Sequence, residues 1–260
     1  MLPDIVEFWN RCPLDHPPFV HPEDKRLVRR CAPELLRRPI SSYEGFVRSK
    51  RFGDFDDHGF HFSLLPAPYA GDLIRAKIFL LMLNPGFKMA DYCAEFQMPI
   101  FRQRAIANLK QRSKAADFPF LFLDPELSWH TGFLYFERKL RLIAQALARQ
   151  SRKPYLEALR QLARSIAVLQ MVPYHSASLK ANWAFKLPSA EKAREFAHEY
   201  VFPRAAAGEA LAVILRNGKR WGAPARCRNI VSYKGPHARG ASLGPETRGG
   251  EAILRFFGLR

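Results

Sequence analysis

Lys77-Ile-Phe-Leu-Leu-Met-Leu-Asn84-Pro85-Gly86-Phe87 holds an unbroken apolar run, Ile78 to Leu83, that stops at an asparagine followed by proline and glycine. A short run with no polar alternation reads as a strand buried on both faces, the kind found in parallel sheets covered by helices. Side chains at the carboxyl end of such a strand stand where open α/β sheets bind ligands, so Asn84 is a candidate active-site residue. Pro85 fixes φ in the following turn, and Gly86 permits close backbone approach. Asn, Pro and Gly are also the commonest turn residues, and the motif by itself does not separate a site from a plain turn.

The pattern returns along the chain. Ser165 to Gln170 is a second apolar run, leading into Pro173-Tyr174-His175-Ser176. Leu211 to Leu215 is a third, ending at Arg216-Asn217-Gly218, and Asn229 to Tyr233 a fourth, feeding Lys234-Gly-Pro-His237-Ala-Arg239-Gly-Ala-Ser242-Leu243. Helical spacing over 99–115, 133–149, 153–163, 190–200 and 249–257 separates them. Residues 118–123 read as a short strand or extended segment. Alternating strands and helices predict a three-layer α/β/α fold with a central, mainly parallel sheet of about four strands and right-handed crossovers. Residues 1–70, helical over part of 22–38 and irregular over 46–69, read as an accessory region before a main domain at 71–260.

Composition narrows the function. The 260 residues carry 41 Lys and Arg against 24 Asp and Glu, a net charge of +17, which is the balance of a polyanion binder. Nucleic acid is the expected partner and a membrane is not, because no run approaches the roughly 20 apolar residues needed to span a bilayer. The first residues lack the basic-then-apolar pattern of a signal peptide, so a cytoplasmic protein is expected. Cys12, Cys31, Cys93 and Cys227 lie far apart, without metal-ligand spacing, so buried free thiols and no bound metal are expected.

The order Leu-Leu-Met-Leu-Asn84-Pro85-Gly86, a strand ending near Gln170, the strand 211–215 and a final strand followed by a His237 loop resembles the uracil-DNA glycosylase superfamily over about residues 77–257. Asn-Pro-Gly at the first motif is the form found in its mismatch-specific and single-strand-selective branches. The resemblance implies that Asn84 positions the attacking water and that Phe96, twelve residues on, stacks on the extruded base. His237 would then face the departing pyrimidine and stabilise its developing negative charge. Gln170 stands where the family carries a base-reading Asn. Its longer arm keeps a donor and an acceptor but need not shape the pocket for uracil. Phe87, Tyr174 and His175 are further candidates for lining the base pocket.

The family's His-Pro-Ser-Pro pattern reads here His237-Ala-Arg239-Gly-Ala-Ser242-Leu243. Arg239 and Ser242 are candidates for phosphate contacts, and Leu243 or Arg239 for filling the gap left by the flipped nucleotide. Lys88, Lys180 and Lys234 follow strand ends, as a phosphate-tracking face requires.

The activity implied is a monofunctional DNA glycosylase, without cofactor, acting as a monomer on uracil or a modified pyrimidine flipped from duplex or single strand, in repair or in defence against foreign DNA. The alternative is a non-catalytic nucleic-acid-binding protein that keeps the glycosylase fold. No phosphate-binding glycine motif follows any strand, which disfavours a nucleotide-binding enzyme of another α/β type.

Overall fold

The computed structural model describes residues 3–112, 116–233 and 240–259. Five strands form one sheet: β1 (Tyr69–Ala70), β2 (Ile78–Met82), β3 (Ile166–Gln170), β4 (Leu211–Ile214) and β5 (Ile230–Ser232), in the order β1-β3-β2-β4-β5. The protein is an α/β protein, and β2 to β5 are the four strands expected. The fifth, β1, has two residues, too few to show a period. Gly71, just after it, has a φ of +97°, and a Cβ there would lie 2.5 Å from the Ile166 carbonyl oxygen at the start of β3. Only glycine fits that approach.

β2, β4 and β5 run parallel, with Ile78 opposite Leu211, Leu80 opposite Val213 and Val213 opposite Val231. Every residue of β2, β3 and β4 is buried, which explains runs without alternation. Phe79 meets the Tyr200 ring edge-on at 6.4 Å, and the Arg204 guanidinium lies over both rings. Val213, in register with Leu80, faces away from Phe79. There it meets the helix Arg248–Phe256, where a Cβ on Gly249 would lie 3.0 Å from the Val213 side chain. Helical layers thus lie on both faces of the sheet.

Helices form over most of the spans where the 3.6-residue period predicts them, the one expected over 99–115 ending at Leu109. Thr131–Ser151 buries Phe133, Phe136, Leu140, Ile143, Ala144 and Leu147 along one stripe and packs on Tyr155–Ser165. Residues 118–123 depart from expectation. Leu121–Leu123 is a 3₁₀ turn, with Leu123 N–H bonded to the Phe120 carbonyl at 3.0 Å and Asp124 capping the next turn at Glu126. Flanking Pro119 and Pro125 favour such a tight turn over a strand.

The chain divides into two compact units. One comprises Met1–Tyr69, Leu83–Arg112 and Gln170–Ala193, and the other Ala70–Met82, Ser113–Leu169 and Arg194–Arg260. The boundary near residue 70 is therefore one of several, because the amino-terminal region takes in the segments that follow β2 and β3. Backbone bonds within this first unit show why: His61 N–H donates to the His175 carbonyl and Ala67 N–H to the Pro173 carbonyl, both at 2.9 Å. No helix among the described residues is long and apolar enough to cross a membrane.

Candidate active site

Asn84 follows the carboxyl end of β2, and its neighbours come from the segment after β3. Val172 N–H donates to the Leu83 carbonyl at 2.7 Å, which lays the two segments side by side within the first unit. One turn further on, the Asn84 amide nitrogen donates to the Ser176 carbonyl and to the Ser176 hydroxyl, each at 3.1 Å. A carbonyl oxygen can only accept, so this contact fixes which end of the amide is nitrogen. Asn84 Oδ1 is consequently turned the other way. It makes no hydrogen bond among the described residues, and the residue is half-buried.

The turn itself is held from beneath. Gly86 has a φ of +76°, with nothing within 4 Å of where a Cβ would sit, so its requirement for glycine is conformational rather than steric. The Gly86 carbonyl accepts a hydrogen bond from His175 Nδ1 at 2.9 Å, which assigns the proton to that nitrogen. Phe87 stacks on the His61 ring at 3.5 Å, and Tyr92 stacks on Phe46 at 3.9 Å in the adjoining apolar cluster. His61 Nδ1 lies 3.3 Å from the Tyr92 hydroxyl, while its Nε2 lies 3.6 Å from an Asp57 oxygen that Arg51 binds at 2.5 Å.

The charge states follow from this packing. Burial, with the Arg51 charge adding and Asp57 opposing, pushes His61 down to about 3. Burial also lowers His175, against the Asp91 charge and the hydrogen bond to Gly86. Both imidazoles are therefore neutral at pH 7. Asp57 is held below the ordinary carboxylate range: burial opposes this, but the hydrogen bond and charge of Arg51 outweigh it.

The structure thus brings together Asn84, Phe87 and His175. Gln170 closes β3 as expected and is 6% exposed, its backbone N–H donating to the Pro68 carbonyl at 2.8 Å. Phe96 lies on the helix Ala90–Gln97, stacked on Tyr92 at 6.0 Å and packed against the Phe46, Leu64 and Tyr92 cluster. The ring is half-buried there.

Two expectations are corrected by burial. Tyr174 is 1% exposed, its hydroxyl donating to Asp24 at 2.5 Å and accepting from the His21 N–H, so it is a core residue with both roles of its oxygen taken. Leu243 is 0% exposed and is not available to fill a gap in DNA. Ser242 is exposed, but its carbonyl accepts from Tyr233 and Thr247 and its hydroxyl from the Gly244 N–H. Lys88 and Lys180 are exposed. Lys234, His237 and Arg239 lie outside the described residues. The chain resumes at Gly240 and Ala241, whose carbonyls accept from Lys139 Nζ at 2.9 and 2.7 Å.

Ser176 and the Arg51, Asp57 and His61 set were missed by sequence reasoning. Ser176 had one available signal, a polar residue just beyond the second buried strand. The other three lie in an aperiodic stretch, and only folding places His61 under Phe87. Among the described residues no group of three or more His, Cys, Asp or Glu could hold a metal ion. No protein-family model matches the chain, and neither a curated protein nor a solved structure does.

Proposed function

We propose that the protein is a monofunctional DNA glycosylase that hydrolyses the N-glycosidic bond of a flipped uracil or modified pyrimidine and leaves an abasic site. The observation that carries this reading is the clamped amide of Asn84, whose nitrogen is held by Ser176 and whose Oδ1 makes no hydrogen bond among the described residues, in the segment that follows β2. An amide oxygen accepts a hydrogen bond from a water and holds its lone pair toward C1′ of the sugar. As the C1′–N bond breaks, its electron pair leaves with the base, the water oxygen bonds to C1′, and the water's proton passes to the departed base or to solvent. Asn is a poor base, so its contribution is orientation, and the rate rests on stabilising the leaving base. The +17 charge suits a partner with a phosphate backbone. Repair and defence against foreign DNA both fit this chemistry.

The competing reading, a nucleic-acid-binding protein without catalysis, draws on the burial of Tyr174 and Leu243, which removes two proposed contacts with an extruded nucleotide. Incubation with oligonucleotides bearing uracil, mismatched thymine or modified cytosines, followed by alkali cleavage at abasic sites, separates the two. Strand breaks on at least one substrate are expected. Tight binding to all of them with no breaks on any would establish the non-catalytic reading.

A further inference from the structure

A cavity of about 840 Å³ lies in the second unit, at the amino ends of β2, β4 and β5. Lys77 precedes β2 and Arg228 precedes β5, and both line it. Neither makes an ion pair among the described residues, whereas the other lining cations do: Arg164 with Asp117 at 2.9 Å, Arg255 with Glu251 at 3.6 Å and Arg75 with Asp72 at 4.0 Å. Such exposed pairs are weak and exchange readily for a better anion. Glu209 is the lining carboxylate, and with Asp72, Asp117 and Glu251 answering three of the five lining cations, Lys77 and Arg228 are the two without an ion-pair partner among the described residues.

Cations at the carboxyl ends of helices have a simpler use, which is to offset the helix dipole. Arg164 and Arg255 stand in the last turns of Tyr155–Ser165 and Arg248–Phe256 and serve it. Each dipole amounts to roughly half a negative charge, and it acts at the helix ends where Arg164 and Arg255 stand. Lys77 and Arg228 belong to strand approaches, and this explanation does not cover them. Phe256 and Phe257, both half-buried, line the same cavity and supply aromatic surface beside the cations.

We infer that this cavity binds a phosphorylated nucleoside, its phosphates on Lys77 and Arg228 and its base against Phe256 or Phe257. Cations set around aromatic rings match that pairing of groups, and the volume falls within the range of pockets that enclose small ligands. The site uses none of the residues proposed for base excision, so the inference does not rest on that reading. The same chemistry has two sources, a free nucleotide or a nucleotide within a single strand.

The test is calorimetric titration of the full chain with ATP, dTTP, a short oligothymidylate and inorganic pyrophosphate. Nucleotides are expected to bind about tenfold more tightly than pyrophosphate because of stacking. Equal affinities would overturn the nucleoside assignment. Binding by ATP or dTTP identifies free nucleotides as the source, and binding by the oligothymidylate alone, weakened in the cavity variant below, identifies a strand. The double variant Lys77→Glu with Arg228→Glu is expected to weaken binding about 100-fold through two lost charge-assisted contacts. A control of equal charge change, Arg149→Glu with Lys153→Glu at exposed positions away from the cavity, is expected to change it little. No binding by the wild type, or equal losses in both double variants, would overturn the proposal, the latter by reducing it to general attraction to a basic protein.

Discussion

At Asn84 the decisive question is which way one amide points, and two hydrogen bonds to Ser176 answer it. The Ser176 hydroxyl accepts from Asn84 and donates to the Ser178 carbonyl at 3.3 Å, and the Ser178 hydroxyl in turn pairs with His58 Nδ1 at 2.9 Å. The clamp is therefore backed by a polar chain rather than resting on one side chain. Replacing Ser176 by Ala removes one of the two acceptors and leaves the backbone carbonyl. The excision rate is expected to fall about tenfold, the order of one hydrogen bond, with duplex affinity unchanged. Single-turnover kinetics beside a binding titration would check this, and an unchanged rate would show that the hydroxyl does not help to hold the amide. Phe96 teaches a different lesson at this scale. With 21 phenylalanines in the chain, spacing from the motif could not tell a base-stacking ring from a core ring, and the ring lies half-buried against the Phe46, Leu64 and Tyr92 cluster.

At the scale of elements, the helix Ala90–Gln97 carries a buried carboxylate beneath the segment that contains His61. Glu95 accepts from the Leu65 N–H at 2.8 Å and lies 4.0 Å from Arg102. Burial, only partly offset by that hydrogen bond and by Arg102, pushes it up to about 8. A carboxyl raised in the folded state keeps its proton while the unfolded chain loses its own. The unfolded state is thus increasingly favoured from about pH 4.5, the ordinary value, up to about 8. Glu95→Gln, which keeps an acceptor for Leu65, is expected to raise stability by about 2 kcal/mol or more at pH 8 and by little at pH 4.5. Urea titrations at the two pH values would show it, and a gain that does not depend on pH would contradict a neutral Glu95. The strands were readable from sequence because burial on both faces writes an unbroken apolar run, as in Ile78–Met82 and Leu211–Ile214. β1 was not, since two residues carry no pattern, and the apolar Phe118 to Leu123 misled because 3₁₀ turns and short buried strands share a composition.

For the whole molecule, the α/β class and the layer order were legible, while the partition into two units was not. Interleaving three segments per unit depends on contacts such as Asn84 with Ser176, 92 residues apart, and no local pattern announces them. The candidate site was half legible for the same reason. The Asn84 turn is local, whereas its clamp and the His61 platform under Phe87 are long-range. Charge is the property of the whole chain that reaches function most directly. At +17, duplex affinity should rest on phosphate contacts spread over the surface and be nearly indifferent to one neutral side chain. Asn84→Ala, assayed on the oligonucleotide that the wild type cleaves most readily, therefore separates chemistry from binding. Excision is expected to fall about 1000-fold while duplex Kd stays within about twofold. Wild-type excision by Asn84→Ala would contradict the role of this residue as the group that positions the water.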